Sequence, residues 1–207
     1  MIQRLYAIVD AGVLAARAIS LAEFSSELVA AGVGLIQYRD KTGSPQQILE
    51  AAAQLRAAFA GRECRLILND RPDLAVLAHA DGVHIGQLDL SPEDTRTVVG
   101  RNRLIGLSTH NDAQLKAADL SCADYLAIGP VFSTGTKIDP DPVVGLEGVR
   151  RARELTRKPL VAIGGITRQN ARSVIEAGAD SVAVISGLFS ATETTANVVR
   201  DFLDILG

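Results

Sequence analysis

The residues Ala177-Gly178-Ala179-Asp180 lead out of a helical pattern into the short apolar run Ser181–Val184. Near-copies of this phrase are Ala31-Gly32-Val33-Gly34, Ala80-Asp81-Gly82-Val83 and Cys122-Ala123-Asp124-Tyr125, and each of them enters another apolar run. Small residues at such places end a helix and allow a tight turn into a strand. The phrase precedes every second apolar run, so the recurring unit is two strand–helix pairs.

Short apolar runs along the whole chain predict the strands of a closed barrel. We predict strands at residues 5–9, 35–39, 66–69, 83–85, 104–107, 125–128, 160–163 and 181–184. Segments with helical periodicity, such as 45–59 and 112–118, lie between them. Eight strand–helix units in 207 residues give about 26 residues per unit, which is sufficient for a (β/α)8 TIM barrel. The alternative, an open doubly wound sheet, requires a glycine-rich fingerprint that does not follow the first strand. We expect one compact domain over residues 1–207.

Composition excludes several classes of protein. Hydrophobic residues make up 47% and charged residues 22%, which excludes a disordered or fibrous chain. The net charge of −3 provides no basic surface for nucleic acid or an anionic membrane. Without a signal peptide or a span of ~20 apolar residues, we expect a cytoplasmic protein with small-molecule partners, and we leave a homo-oligomer open. Cys64 and Cys122 lack metal-ligand spacing and are expected to be small buried hydrophobes.

The second predicted strand ends in Gln37-Tyr38-Arg39-Asp40-Lys41. Side chains two residues apart share a face of a strand, so Gln37, Arg39 and Lys41 point together at the barrel mouth. In this fold, chemistry takes place at the carboxyl ends of the strands. Two cations and an amide suit a di- or triphosphate. The alternative is a solvated strand end whose cations pair with nearby acids.

Two aspartates follow the next two strands, in Asn69-Asp70 and in Gly86-Gln87-Leu88-Asp89. Neighbouring strands lie only ~4.8 Å apart, so the two carboxylates are expected to be close. A pair of acids together with substrate phosphates is a common way to hold Mg²⁺, and we predict Asp70 and Asp89 as magnesium ligands. Taken alone, they also fit loop turns or helix caps.

The fifth and sixth strands are followed by hydroxyl-rich segments. Ser108 is predicted either to contact a ligand or to cap the next helix, and His110 fits an acid/base group or an exposed histidine beside a helix start. The irregular stretch 129–145 is long for a compact domain, and such loops are usually functional. We call this stretch the lid. Its segment Thr134-Gly135-Thr136-Lys137 predicts an anion clamp, although it lacks P-loop spacing.

The seventh and eighth strands are followed by Ile163-Gly164-Gly165 and Ile185-Ser186-Gly187. Loops at these places in such barrels commonly bind a phosphate through backbone N–H groups. We therefore predict a phosphate site at Gly165, Ile185 and Ser186, the alternative being glycines that merely allow tight turns. Two anion sites at one mouth suit an enzyme that joins two phosphorylated small molecules while one phosphate group leaves.

The order of these motifs resembles the thiamine-phosphate synthase family. The resemblance rests on Gln37-Tyr38-Arg39-Asp40-Lys41, Asn69-Asp70, the segment 82–87 with Asp89, Ser108-Thr109-His110, the segment 129–132, Thr136-Lys137, Gly145-Leu146-Glu147, the segment 162–166 and Ile185-Ser186. It extends from the second to the eighth predicted strand. It implies a Mg²⁺-assisted transferase that joins 4-amino-2-methyl-5-hydroxymethylpyrimidine diphosphate to hydroxyethylthiazole phosphate and releases pyrophosphate.

The resemblance also implies a role for each site residue. Gln37, Arg39, Lys41 and Asn69 would hold the pyrimidine diphosphate, Ser108 would contact the pyrimidine, and Asp70 and Asp89 would bind Mg²⁺. Thr134, Thr136, Gly165, Ile185 and Ser186 would hold the thiazole phosphate, and Lys137 would contact the diphosphate. Arg39, Lys41 and Lys137 would act in catalysis on the leaving group. A dissociative mechanism needs no strong general base, and no serine or cysteine nucleophile with a partner is apparent.

Two departures and two rival functions stay open. Ser133 stands where the family often has proline, and this departure concerns the lid. Leu88 stands where an acidic residue usually precedes the metal-binding aspartate, and this departure concerns the metal affinity. The first rival is a thiazole tautomerase of the related barrel family, which resembles this chain in the last two loops and at His110. The second is a non-catalytic sensor of a phosphorylated ligand.

Overall fold

A closed parallel barrel is the framework of the protein. The fold is that of a computed structural model describing residues 2–135 and 141–207. Strands β1 to β8 follow one another around the barrel in chain order, and β8 pairs with β1 to close it. Every neighbouring pair is parallel. The predicted (β/α)8 fold class is confirmed.

The strands and helices alternate. The strands are β1 (Leu5–Asp10), β2 (Leu35–Arg39), β3 (Arg65–Asn69), β4 (Gly82–Ile85), β5 (Leu104–Thr109), β6 (Tyr125–Ile128), β7 (Leu160–Ile163) and β8 (Ser181–Val184). The helices are α1 (Ala11–Ala16), α2 (Leu21–Ala31), α3 (Pro45–Ala58), α4 (Pro72–Leu77), α5 (Pro92–Val99), α6 (Asp112–Leu120), α7 (Gly145–Leu155), α8 (Ala171–Glu176) and α9 (Thr195–Leu206). A 3-10 turn at Ser186–Leu188 lies between β8 and α9.

Two strands run further toward the mouth than the apolar pattern predicts. β1 includes Asp10, which pairs in register with Arg39 on β2. β5 includes Ser108 and Thr109, because its pairing with β6 continues to Thr109 opposite Ile128. Polar residues end the apolar run but not the ladder, since backbone pairing is indifferent to the side chain. The helix after β5 is capped by Asn111, so Ser108 is not a cap.

Residues of the repeated phrase hydrogen-bond to the preceding strand at the base of the barrel, where the strands begin. Asp81, Asp124 and Asp180 each donate a backbone N–H to the preceding strand, to Leu66, Ile105 and Leu160 respectively, at 2.8 Å. The same aspartates accept the N–H groups of these three residues through their carboxylates at 2.7 to 2.8 Å. The copy before β2 has Gly34 in this place, and its carbonyl accepts from Arg65 at 3.1 Å.

Two apolar layers fill the fold. Alternate strand residues such as Ile36 and Tyr38 face the helices, as their spacing predicts, and form one continuous buried layer. The remaining strand residues fill the barrel interior, where Tyr6 and Tyr125 meet edge-to-face with ring centroids 6.2 Å apart. A side chain at Gly106 would overlap the Tyr125 ring, so this glycine makes room for the aromatic pair.

The start of α3 is capped by its own sequence, whereas the two cysteines differ in their burial. Ser44 and Gln47 form the reciprocal capping box that precedes α3. Cys64 is half-buried, and burial raises the pKa of its thiol to about 12. The expectation of a buried Cys122 is wrong, because this residue lies in the turn before β6 with its side chain exposed. Among the described residues, the longest helices are too short or too polar to span a bilayer.

Candidate active site

The mouth of the barrel begins with an ion pair between β1 and β2. Asp10 is the last residue of β1, and its carboxylate accepts from Arg39 on the neighbouring strand. The other carboxylate oxygen of Asp10 accepts from the backbone N–H of Val13 at 2.9 Å and so caps α1. Because Asp10 is buried and fixed from two sides, it holds the Arg39 guanidinium at the rim.

The next two loops bring Lys41, Asp70 and Asp89 together. Lys41 Nζ contacts the Asp70 carboxylate, and the Asp70 and Asp89 carboxyl groups are close enough for the charge of Asp70 to act on Asp89. Asp89 also accepts the Gly86 N–H at 2.7 Å. Burial, followed by the nearby charge of Asp70, raises the pKa of Asp89. The two aspartates predicted as metal ligands thus face each other, whereas the adjacent Leu88 is fully exposed.

Asn69 and Asp70 show that this corner is shaped for something other than internal packing. The side-chain nitrogen of Asn69 is buried and has no hydrogen-bond partner within residues 2–135 and 141–207. Asp70 has a φ of 61°, in the left-handed region that non-glycine residues seldom adopt. A buried amide donor without a protein partner is costly, so this nitrogen is available to a ligand or to an ordered water.

A chain of five polar side chains lies directly beneath the mouth. Gln37 donates to the Tyr6 hydroxyl at 2.8 Å, and the Tyr6 and Tyr125 hydroxyls are 3.0 Å apart. The Tyr125 hydroxyl lies 3.0 Å from His84 Nδ1, and His84 Nε2 lies 2.8 Å from Ser108 Oγ. The chain therefore connects two predicted ligand contacts, Gln37 and Ser108, across the barrel interior.

Burial sets the protonation states in this chain. It raises the pKa values of Tyr6 and Tyr125 above their ordinary value, so both hydroxyls keep their protons. It lowers the pKa of His84 to about 4, against a smaller opposite effect of Asp70, so the imidazole is neutral near pH 7. The pairing of Ser108 with His84 was not apparent in the sequence. It is a poor nucleophile–base pair, because the second nitrogen of His84 faces a tyrosine rather than a carboxylate.

The side of the mouth formed by the loop after β6 is described only in part. His110 Nδ1 lies 2.7 Å from the Gly129 carbonyl oxygen and 3.5 Å from the Asp141 carboxylate. Thr134 is half-buried, and Ser133 is exposed. Thr136 and Lys137, the other members of the predicted clamp, lie outside the described residues.

The opposite side of the mouth is built from backbone. Gly165 has a φ of 63°, and a Cβ atom there would lie 2.5 Å from the Ser133 carbonyl oxygen. Asn170 fixes this turn by donating to the Gly165 carbonyl at 3.0 Å. Ser186 is exposed and opens the 3-10 turn after Ile185, so its N–H has no partner within that turn. The structure thus brings Gly165 close to the base of the lid.

Four residues of this mouth were missing from the predicted site, namely Asp10, Tyr6, His84 and Tyr125. Asp10 carries a signal, because an aspartate that ends an apolar run opposite an inward arginine supplies the counter-charge that the arginine needs. The other three lie within strands, Tyr125 as the first residue of β6, and period-2 alternation places them in the interior without showing that they touch. Their contacts depend on the strand register around the whole barrel.

Comparison with known proteins identifies close relatives. The family model described as thiamine monophosphate synthase matches residues 5–188. A thiamine-phosphate synthase of Koribacter versatilis is 56% identical over 205 residues, which cover 98% of this chain and 95% of the relative. One from Chloroflexus aurantiacus is 41% identical over 193 residues, covering 93% and 88%. Among solved structures, thiamine phosphate pyrophosphorylase from Pyrococcus furiosus superposes with a TM-score of 0.86 at 32% identity, covering 98% of this chain and 95% of that one.

Proposed function

This chain belongs to the thiamine monophosphate synthase family and is a transferase, and we propose that it joins 4-amino-2-methyl-5-hydroxymethylpyrimidine diphosphate to hydroxyethylthiazole phosphate. The bond between the pyrimidine methylene carbon and the diphosphate oxygen breaks, and pyrophosphate leaves with both bonding electrons. The thiazole nitrogen then forms a bond to the same carbon, giving thiamine phosphate. The observation that best supports two phosphorylated substrates is that the mouth has two different sides. One side carries charged side chains, and the other offers backbone N–H groups.

The charged side is assigned to the pyrimidine diphosphate. Arg39 is anchored by Asp10 at the rim, and Lys41 lies beside Asp70. The Asn69 side-chain nitrogen is an unused buried donor in the same corner. These groups offer a diphosphate two cations and one neutral donor, which is a suitable set for phosphate oxygens. Gln37 and Ser108 lie deeper and are assigned to the pyrimidine ring.

The donors present also fit a divalent cation. The carboxylates Asp10, Asp70 and Asp89 lie on this side together with the cations Arg39 and Lys41, so the acids present are at least as many as the cations. That balance does not attract a diphosphate, and a divalent cation at Asp70 and Asp89 would make it positive. The described residues hold no cluster of three or more metal-binding side chains. Magnesium suits such a site, because it commonly uses one or two carboxylates together with substrate phosphates.

The chain's own residues then act on the leaving group. Arg39 and Lys41, together with Lys137, are proposed to neutralise the charge that develops on pyrophosphate as the C–O bond breaks. Magnesium, when bound, adds positive charge at the same oxygens. The electron-rich aminopyrimidine stabilises the methylene cation, so no residue has to remove a proton before bond cleavage. This is consistent with the buried, neutral His84 beneath the mouth.

The backbone side is assigned to the thiazole phosphate. Gly165 and Ser186 are proposed to offer N–H groups, in the manner of phosphate loops in such barrels, and Ile185 brings Ser186 to the rim. Thr134 and Thr136 are proposed to add hydroxyl donors from the lid. Since Gly165 lies against the lid at Ser133, phosphate binding here would also order the start of the lid.

The proposal is tested by incubating the purified protein with both substrates and measuring pyrophosphate and thiamine phosphate. We expect equal amounts of the two products, formed only when both substrates and Mg²⁺ are present. Isomerisation of a thiazole phosphate without pyrophosphate release would instead support the tautomerase. Tight binding of thiazole phosphate without any turnover would support the sensor.

A further inference from the structure

We propose that Tyr6, Tyr125 and His84 are positioning residues whose hydrogen bonds fix the direction in which Ser108 and Gln37 present donors and acceptors to the pyrimidine. These three residues lie beneath the mouth, and within the described residues their side chains hydrogen-bond to Gln37, to Ser108 and to one another. The inference rests on the proposed function, since it concerns how the same site recognises its aminopyrimidine.

The hydrogen-bonded chain of these five side chains is unbranched, and each of its hydrogen bonds has one donor. Gln37 Nε2 can only donate, so the Tyr6 hydroxyl accepts from it and donates its own proton to Tyr125. Tyr125 must then donate to His84 Nδ1. A neutral imidazole with a lone pair on Nδ1 carries its proton on Nε2, which donates to Ser108 Oγ at 2.8 Å. Every proton in the chain is thereby assigned from its Gln37 end.

The two ends of the chain consequently present opposite groups to the mouth. Ser108 Oγ already accepts from His84, so its own proton is left to donate upward. Gln37 uses its amide nitrogen on Tyr6, so its carbonyl oxygen remains as an acceptor, and this oxygen has no partner in the described part of the chain. One donor and one acceptor are the groups that a 4-aminopyrimidine requires, because it offers ring-nitrogen acceptors and an amino donor.

The reversed chain would recognise the opposite edge. A 4-oxopyrimidine offers a carbonyl acceptor beside a ring N–H donor, so it requires the donor and the acceptor at exchanged places. Presenting them would require all five groups to reverse together. Tyr6 and Tyr125 are almost completely buried, and His84 is buried as well, so water is not at hand to complete a partly reversed chain. The interior therefore discriminates between the two edges at a distance from the ligand.

The test uses two hydroxyl deletions inside the chain and one outside it. Tyr125→Phe and Tyr6→Phe each remove one link while keeping the ring. Tyr38→Phe is the matched control, because its hydroxyl faces the helix side and contacts Asp40 at 3.3 Å. For each protein, inhibition constants are measured for the 4-amino and the 4-oxo pyrimidine monophosphates, which lack the leaving diphosphate, alongside the KM for thiazole phosphate and the melting temperature.

We expect the wild-type protein and Tyr38→Phe to prefer the amino compound by the same factor. In Tyr125→Phe, His84 can adopt either tautomer, so this preference should fall about tenfold, the size expected when a buried partner is lost. Tyr6→Phe should lower the preference in the same direction. The KM for thiazole phosphate should stay within about twofold of the wild type, because the backbone side is untouched.

An unchanged amino-to-oxo preference in both Tyr125→Phe and Tyr6→Phe overturns the inference. So does a loss of preference that appears equally in Tyr38→Phe, or one that is accompanied by an equal rise in the KM for thiazole phosphate, because either would indicate general loosening. Failure of the proposed function looks different, since the wild-type protein itself would then form no thiamine phosphate.

Discussion

Aspartates at the two ends of the barrel have different kinds of partner. At the base, Asp81, Asp124 and Asp180 each accept a backbone N–H from the first residues of the preceding strand, and Asp124 and Asp180 also pair with Arg96 and Arg153. At the mouth, Asp70 has Lys41 and Asp89 as its side-chain neighbours. The partners at the base are fixed by the ladder, whereas Lys41 is half-exposed and attached to a flexible stem.

The difference teaches which carboxylates stabilise the fold and which are available for chemistry. A carboxylate that completes the backbone hydrogen bonding of a strand contributes to folding and has little capacity for a ligand. Two carboxylates crowded together beside a lysine carry an unfavourable charge arrangement that a bound cation would relieve. The same residue type therefore serves stability at the amino ends of the strands and function at their carboxyl ends, as is usual for this fold.

The largest expected effect is on turnover, at the mouth. Asp70→Ala removes one of the two carboxylates assigned to magnesium, and we expect the rate of pyrophosphate release to fall by about 10²–10³-fold, as when an electrostatic contact to the transition state is lost. Thiazole phosphate binding should change less than about twofold, because it uses the other side of the mouth. Steady-state kinetics and titration calorimetry measure these quantities. Asp73→Ala, whose carboxylate pairs with Arg71 on the surface, is the control, and equal activity of Asp70→Ala and the parent would refute the metal assignment.

The next effect concerns the layer between the two ends. The pKa of His84 is about 4 in the folded protein and about 6.5 in the unfolded chain, so between these values the unfolded chain binds more protons. The free energy of unfolding should therefore decrease as the pH falls from about 6.5 and lose about 3 kcal/mol from this group by pH 4. Denaturant unfolding across this pH range checks it. His84→Gln, which does not titrate, should flatten that part of the profile, and an identical profile in the variant would contradict the assignment.

A smaller effect on stability is expected at the base. Asp180→Ala leaves the buried N–H of Leu160 without its carboxylate acceptor and also removes the partner of Arg153. We expect a loss of about 2 kcal/mol, equivalent to roughly 4–8 °C in melting temperature, with kcat unchanged. Asp180→Asn retains one acceptor and should lose less. The contrast between the two ends would break down if Asp180→Ala lowered kcat while leaving the melting temperature unchanged.

The smallest expected effect distinguishes the two sides of the mouth. Gly165→Ala places a Cβ close to the Ser133 carbonyl in a left-handed turn, so the turn must shift. We expect the KM for thiazole phosphate to rise about tenfold while that for the pyrimidine diphosphate stays within about twofold. Gly61→Ala is matched to it, since Gly61 has a φ of 74° with open space around it. A similar change in the two KM values of Gly165→Ala would contradict the assignment of the two sides of the mouth to different substrates.

The fold was predictable from the sequence because its signals are local. The small-residue phrases before β2, β4, β6 and β8 and the apolar runs behind them placed every strand to within two residues at either end. The errors at the mouth have a common cause: at Asp10 and Ser108 the side chain becomes polar before the ladder ends. At the base, β3 and β4 each begin one residue earlier than predicted, at Arg65 and Gly82. The hydrophobic pattern indicates which side chains are buried, whereas a strand ends where its backbone pairing with the neighbouring strand ends.

The candidate site was predictable in its outline and not in its connections. The proximity of Asp70 and Asp89 follows from their places after neighbouring strands, and the structure brings them together. The link from Gln37 to Ser108 through the interior depends on the stagger of five strands, β1, β2, β4, β5 and β6, which single-strand patterns do not contain. The functional roles assigned to the site residues remain predictions, and Thr136 and Lys137 lie outside the described residues.

A magnesium titration checks whether the paired carboxylates at the mouth hold the cation used in pyrophosphate release. The rate of pyrophosphate release is measured against Mg²⁺ concentration for the wild-type protein and for Asp89→Asn. Since metal-ligating groups and their supports typically affect affinity by 10–100-fold, we expect half-saturation of Asp89→Asn to require at least about tenfold more Mg²⁺. An unchanged half-saturating concentration, or full activity of the wild-type protein in the presence of a chelator, would contradict the account.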